Sequence, residues 1–351
     1  MSFHSYNFLP DKFIKAYKPK IKIKFQNGLS FAHSVHEILD YVSDYYDFVD
    51  SDNPDFIIFG PYGNDIPAKS DSYTRIGYFC ENIMPDLSIC EWAFGMPREE
   101  EIQHPKYKKI QWHNLKPQQL IKPDDFDPDE IISQKDKFCN FLYSHRVPYR
   151  EEFFKTLSKY KKVDAPGKSM NNMPSIDSLY SGDIWTRKKQ FLAPYKFTIA
   201  FENYSYPGYQ TEKLYDAMQA YSIPVYLGDP YINEIFNTQS FINAFDIVEP
   251  KYGPAIKSLE KMSQMNFIDI RPQFYNNISH RIARKVKHWG RELKMSVELN
   301  GLNYKKLVDR IVEIDENDKL YKQMLSEPWF NNNQVPSHTS SVNRWIEIFG
   351  S

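Results

Sequence analysis

At 351 residues, 41% of them hydrophobic and 25% charged, the chain has an ordinary globular composition and roughly twice the length of a common single domain. Lys and Arg number 44 against 45 Asp and Glu, which excludes the basic excess of a dedicated nucleic-acid binder and makes any anion site a local one. The three cysteines, Cys80, Cys90 and Cys139, lack CxxC or Cys/His spacing, so neither a disulfide framework nor structural zinc is expected, and a reducing compartment fits them best.

In chain order, Lys20 to Phe25 (KIKIKF) alternates with period two, Ser34 to Val42 has the spacing of a short helix, and Asp55 to Gly60 (DFIIFG) suits a buried strand. Strand, helix, strand with short joints is the pattern of a doubly wound α/β unit. Ser72 to Glu81 (SYTRIGYFCE) reads as another strand. Gln103 to Pro128 is rich in Lys, Gln, Asp and Pro and reads as irregular structure. A domain boundary is placed near 135, so that 1–135, 136–330 and a tail at 331–351, packing back on the first domain, divide the chain. The second domain opens with a strand at Lys137 to Tyr143, a helix at Tyr149 to Lys159 and a strand start at Lys162 to Asp164.

The N-terminus has no apolar core behind its charges, and no run approaches the roughly 20 apolar residues that span a bilayer. A cytoplasmic protein is expected, either soluble or peripheral at the inner membrane. Arg281 to Val297 (RIARKVKHWGRELKMSV) bears on that choice. Ile282, Val286, Trp289 and Leu293 recur at helical spacing among six basic residues, which suits a membrane-surface helix or a solvated face on a packed one.

Tyr195 to Gly228 carries the most chemistry. Lys196 to Phe201 (KFTIAF) suits a buried parallel strand, and Glu202 to Tyr209 (ENYSYPGY) is a turn-rich loop. Thr211 can cap a helix through about Tyr221, and Ile223 to Leu227 (IPVYL) is the next strand. In such a βαβ unit ligands bind at the carboxyl ends of the strands, where a helix N-terminus offers free N–H groups to phosphates. Lys213 opposes the helix dipole there by some tenths of a kcal/mol, which points to an anion between it and the helix or to a solvent-exposed lysine with no role. Glu212 beside it favours the dipole and can accept hydrogen bonds from sugar hydroxyls.

The string FENYSYPGYQTEKLYDA followed by IPVYLGDP resembles the donor-binding signature of the alpha-1,3-fucosyltransferases, glycosyltransferase family 10 of bacterial type. Weaker similarity runs through FCNFLYSHRVPYREEFF and GYFCENIMPD. The resemblance implies an α/β protein of GT-B architecture, two Rossmann-like domains facing across a cleft, the first taking the acceptor and the second GDP-fucose. It implies that Asn203, Tyr209, Glu212 and Lys213 hold the donor, with Glu202 close to the fucose or the ribose. Arg150 in PYREEFF matches a family arginine, and its other reading is a helix-surface charge. Lys168 in DAPGKSMNNMP is the nearest candidate for a second basic residue.

The family's general base falls on Glu81, which lies at a predicted strand end in the domain opposite the phosphates, as inverting transfer requires. The implied reaction is transfer of L-fucose to the 3-hydroxyl of N-acetylglucosamine in a beta-galactosyl-N-acetylglucosamine acceptor, giving a Lewis-x-like product with no obligatory metal. Two other classes stay open: a GT-B transferase using another nucleotide sugar, and a non-catalytic sugar- or nucleotide-binding protein on the same fold.

Overall fold

The alternation at the start of the chain becomes β1 (Lys20–Gln26), with Ile21, Ile23 and Phe25 inward and the intervening lysines outward. In this computed structural model the described residues are 18–63, 65–81, 85–248 and 302–350, together with Ile278 and Ile282. They divide into two compact units, whose division falls at Asn114/Leu115. The boundary expected near 135 therefore moves upstream, and the stretch from 115 to 134 goes with the second unit.

In the first unit, β1 leads to α1 (Phe31–Leu39), β2 (Asp47–Asp50), β3 (Phe56–Phe59), β4 (Thr74–Phe79), β5 (Trp92–Gly95), the short helix α2 (Glu99–Ile102) and β6 (Tyr107–Lys109). The six strands form one sheet, ordered β2-β1-β3-β4-β5-β6, and every pairing is parallel. The four residues of β3 are all buried, as a strand covered on both faces must be. β6 lies in the segment whose Lys and Pro content predicts irregular structure. Pairing with β5 overrides that composition, because Tyr107 buries its ring and donates its hydroxyl to the Pro97 carbonyl at 2.7 Å.

In the second unit come α3 (Pro128–Ser133), β7 (Lys137–Asn140), α4 (Pro148–Leu157), β8 (Val163–Asp164), the short helix α5 (Ile176–Leu179) and α6 (Ile184–Leu192). They are followed by β9 (Tyr195–Phe201), α7 (Glu212–Gln219), β10 (Ile223–Leu227), β11 (Ile242–Asn243), α8 (Ala244–Ile247), α9 (Lys305–Asp315) and α10 (Asp318–Ser326). Its sheet is also wholly parallel, ordered β11-β10-β9-β7-β8. Pro224 is tolerated inside β10 because β11 joins only at Val225 and Tyr226, so no ladder bond is lost on that side.

The last helix, α11 (Val342–Gly350), belongs to the first unit, where Trp345, Ile348 and Phe349 enter the core of β1, β3, β4 and β5. Among the described residues no helix is long and apolar enough to cross a membrane. The basic segment 281–297 lies outside the described residues apart from Ile282, which is exposed.

Candidate active site

The site in the second unit is built on the passage from β9 to α7. Every residue of β9 from Phe197 to Phe201 is buried, and the strand delivers Glu202 at its carboxyl end with a fully buried side chain. Glu202 Oε1 accepts the Thr211 backbone N–H at 2.8 Å, and Oε2 accepts the Thr211 hydroxyl at 2.7 Å. Lys213 Nζ reaches the same Oε2 at 3.3 Å, donates to Thr211 Oγ1 at 2.8 Å and lies 3.5 Å from Glu212 Oε1. Thr211 thus stands at the N-cap in extended backbone, as predicted, but its hydroxyl serves Glu202 and caps no helix amide. Both oxygens of Glu202 are engaged inside the protein. It is an internal anchor for Thr211 and Lys213, whereas the sequence places it against the sugar or the ribose.

These contacts set the charge states. Burial pushes the Glu202 carboxyl up, with Lys213 opposing. Burial also disfavours the Lys213 ammonium, yet Glu202 and Glu212 outweigh it and hold the pKa above the ordinary lysine value. Glu212 is drawn below the usual carboxylate range, against its burial, by Lys213 and Lys188. The start of α7 therefore presents a lysine that stays charged, braced from behind by a carboxylate.

Arg150 approaches the same edge from α4. It is fully buried, which removes its reading as a helix-surface charge. Its guanidinium donates to Asn203 Oδ1 at 2.9 Å, the His145 carbonyl at 3.0 Å and the Phe201 carbonyl at 3.4 Å, and lies 4.0 Å from the Tyr143 ring centre. Among the described residues no carboxylate pairs with it, and its Nε has no hydrogen-bond partner. A buried cation without an acid is costly unless another anion joins it.

The loop between β9 and α7 is fixed by Asp229, at the end of β10. This buried carboxylate accepts the N–H of Gly208 and of Tyr231 at 2.9 Å each, and the Gln210 amide at 2.6 Å. Tyr209 is consequently held buried, stacked on Tyr206 with ring centres 4.9 Å apart. Sequence reasoning singles out neither Asp229 nor Tyr143; an acidic residue directly after a buried strand end was the available signal for the first. Lys168 is exposed, in a stretch pinned to the β7 end. Gly167 is required there, since a Cβ would stand 2.2 Å from the Tyr143 carbonyl oxygen. The structure thus joins Glu202, Glu212 and Lys213 through Thr211 in one network and pairs Arg150 with Asn203 at the end of the same strand, with Tyr209 on the Asp229-braced loop and Lys168 outside both.

In the first unit, Glu81 follows β4 by two residues at the carboxyl edge of the sheet. It is exposed, and Oε1 accepts the Tyr62 hydroxyl at 2.6 Å. Among the described residues no group of three or more His, Cys, Asp or Glu side chains is arranged to hold a metal ion.

Two units with wholly parallel sheets, one with a cationic helix start at the end of its strands, define an α/β protein of the doubly wound type. Residues 132–276 match the model of glycosyltransferase family 10 (fucosyltransferase), C-terminal part. The alpha-(1,3)-fucosyltransferase FucT of Helicobacter pylori is 29% identical over 167 residues, covering 44% of this chain and 33% of that protein. Protein R654 of Acanthamoeba polyphaga mimivirus, itself only provisionally assigned as a fucosyltransferase, is 38% identical over 133 residues, covering 34% and 22%. The aligned part thus amounts to a third or less of these relatives' own lengths. A crystal structure of an alpha1,3-fucosyltransferase superposes with a TM-score of 0.61 at 18% identity, over 99% of this chain and 92% of that one. A crystal structure of an alpha1,3-fucosyltransferase with GDP-fucose gives the same score over 98% of this chain and 93% of that one. At that identity the superposition establishes the fold.

Proposed function

We propose that this protein is an inverting alpha-1,3-fucosyltransferase that moves L-fucose from GDP-beta-L-fucose to the 3-hydroxyl of N-acetylglucosamine in a lactosamine-type acceptor. The observation that carries the reading is Arg150, a buried guanidinium with no acidic partner among the described residues, on a segment matching family 10 that also bears the charged Lys213. A diphosphate supplies the anion that Arg150 lacks, while Lys213 is kept charged by Glu202 and Glu212. Glu212 accepts from ribose hydroxyls, and Tyr209 and Asn203 line the donor.

In the proposed reaction the acceptor hydroxyl attacks the anomeric carbon of fucose from the face opposite GDP, and Glu81 takes its proton. The carbon–oxygen bond to the phosphate breaks as the new glycosidic bond forms, through a transition state of oxocarbenium character. Charge gathering on the departing diphosphate is met by Lys213, Arg150 and the free N–H groups of α7, all in place before the reaction. Transfer to the face opposite the leaving group converts a beta donor into an alpha product.

The test is a panel of nucleotide sugars offered to the full chain with N-acetyllactosamine. Turnover of GDP-fucose alone is expected, and turnover of a different donor alone overturns the assignment. The Glu81→Ala variant should keep its GDP affinity while transfer falls by about 100-fold or more. Binding without turnover by the unaltered chain would mark a sugar-nucleotide-binding protein instead.

A further inference from the structure

Glu81 has a partner that the reaction above does not use. Tyr62, in the turn after β3, donates its hydroxyl to Glu81 Oε1 at 2.6 Å, within the range of a charge-assisted O–H···O bond, and the same hydroxyl lies 3.8 Å from Cys80 Sγ. The turn carrying Tyr62 is fastened to the end of β1. Asn27 Nδ2 donates to the Gly60 carbonyl at 2.6 Å, the Tyr62 N–H reaches the Asn27 carbonyl at 3.3 Å, and the Asp65 N–H reaches Asn27 Oδ1 at 3.0 Å. Gly28 completes the seat. Its φ is +91°, and a Cβ there would stand 2.5 Å from the Tyr62 Cβ, so only glycine lets the tyrosine lie this close. Three adjacent parallel strands, β1, β3 and β4, thus converge through their carboxyl ends on one carboxylate oxygen.

We propose that Tyr62 is a positioning residue for the general base: its hydroxyl holds Glu81 Oε1, fixes the plane of the carboxylate and leaves Oε2 to take the acceptor proton. This rests on the reading of Glu81 as the base. Burial, the neighbouring Cys80 and Glu81 itself all hold the Tyr62 phenol far above its ordinary pKa, so it remains a donor throughout the working range. The other titratable groups around the pair are Cys80, whose thiol burial pushes up to about 11, and Glu37 of α1. Among the described residues Tyr62 is the one hydrogen-bond donor to the Glu81 carboxylate. Removing that hydrogen bond leaves the carboxylate free to turn out of line with the acceptor hydroxyl.

The experiment measures kcat and KM separately for the full chain, Tyr62→Phe and Glu81→Gln, with GDP-fucose and N-acetyllactosamine. Phenylalanine keeps the ring on Gly28 and deletes only the hydroxyl. For Tyr62→Phe, kcat is expected to fall by about tenfold or more while the KM values for donor and acceptor stay unchanged. A wild-type kcat overturns the proposal, as does a lowered kcat accompanied by raised KM values, which marks packing alone. The two readings fail separately. If Glu81→Gln keeps full transfer, the base assignment falls and the role of Tyr62 falls with it. If Glu81→Gln is inactive while Tyr62→Phe behaves as wild type, Glu81 stands and only the role of Tyr62 is lost.

Discussion

A lysine in the first turn of a helix opposes the dipole, and the structure shows what offsets that cost at Lys213. Glu202 sits behind it, fully buried, and together with Thr211 forms a bridge from the end of β9 to the start of α7. Removing the lysine strands a buried carboxylate. For Lys213→Ala the loss of stability should be below the roughly 3–5 kcal/mol typical of a broken buried ion pair, because Thr211 still donates twice to Glu202. The loss also depends on pH. Burial already raises the folded-state pKa of Glu202, and without Lys213 it rises further, so the folded variant binds a proton that the unfolded chain releases. A group raised on folding contributes stability below its unfolded pKa and loses it as pH rises through the folded one. Urea unfolding of the variant should therefore show a larger deficit at pH 8 than at pH 5, and an equal deficit at both would refute the coupling. Calorimetry on the same variant should show weakened GDP binding.

At the scale of elements, legibility followed the locality of the contacts. β9, α7 and β10 were readable because apolar periodicity, turn residues and a capping threonine lie within one stretch of about thirty positions. Even there the helix ends at Gln219, and Tyr221 adopts φ +51°, a left-handed position that glycine usually fills. The Ser222 N–H to the Ala217 carbonyl and the Tyr221 N–H to the Met218 carbonyl close the helix end, and Tyr221 stacks on Phe126 at 5.2 Å. β5 and β6 were not readable, since four and three residues are too few to show a period. Lys122 was hidden for another reason: among many charges in a Pro-rich stretch, nothing marks it as buried. Its ammonium donates to the Leu325 and Glu327 carbonyls at the end of α10 and lies 4.1 Å from the Trp329 ring centre. Burial lowers its pKa to about 7, against the pull of Glu327. The unfolded chain therefore holds a proton that the folded one lacks between about 7 and the ordinary lysine value, and this residue's contribution to stability rises with pH across that window. Replacing it by methionine abolishes the dependence. In thermal unfolding from pH 6 to 9, wild type should gain on Lys122→Met as pH increases; parallel curves would show that Lys122 stays charged in both states.

Across the whole molecule, the chain ends in the unit where it begins. Trp345 stacks on Phe94 with ring centres 4.1 Å apart, and Phe349 meets Phe56 at 5.0 Å and Phe48 at 5.4 Å. Those side chains share one core cluster with Ile38 and Leu39 of α1 on the same face of the first sheet, so the amphipathic pattern of Val342 to Gly350 is a core element separated in sequence from its sheet by the second unit. Such an arrangement makes the first unit depend on residues that follow the second unit in the chain, while the second unit does not include them. A chain truncated after Thr339 tests the consequence. Losing a buried tryptophan alone typically costs about 3–5 kcal/mol, and here Ile348 and Phe349 leave with it. Limited proteolysis should cut the truncated chain within residues 18–114 while the second unit resists, and GDP should bind it with an affinity close to that of the full chain. Transfer should vanish, because Glu81 lies in the unit that unfolds. Retained transfer by the truncated chain would show that the first sheet holds its shape without α11, and lost GDP binding would show that the second unit is not stable on its own.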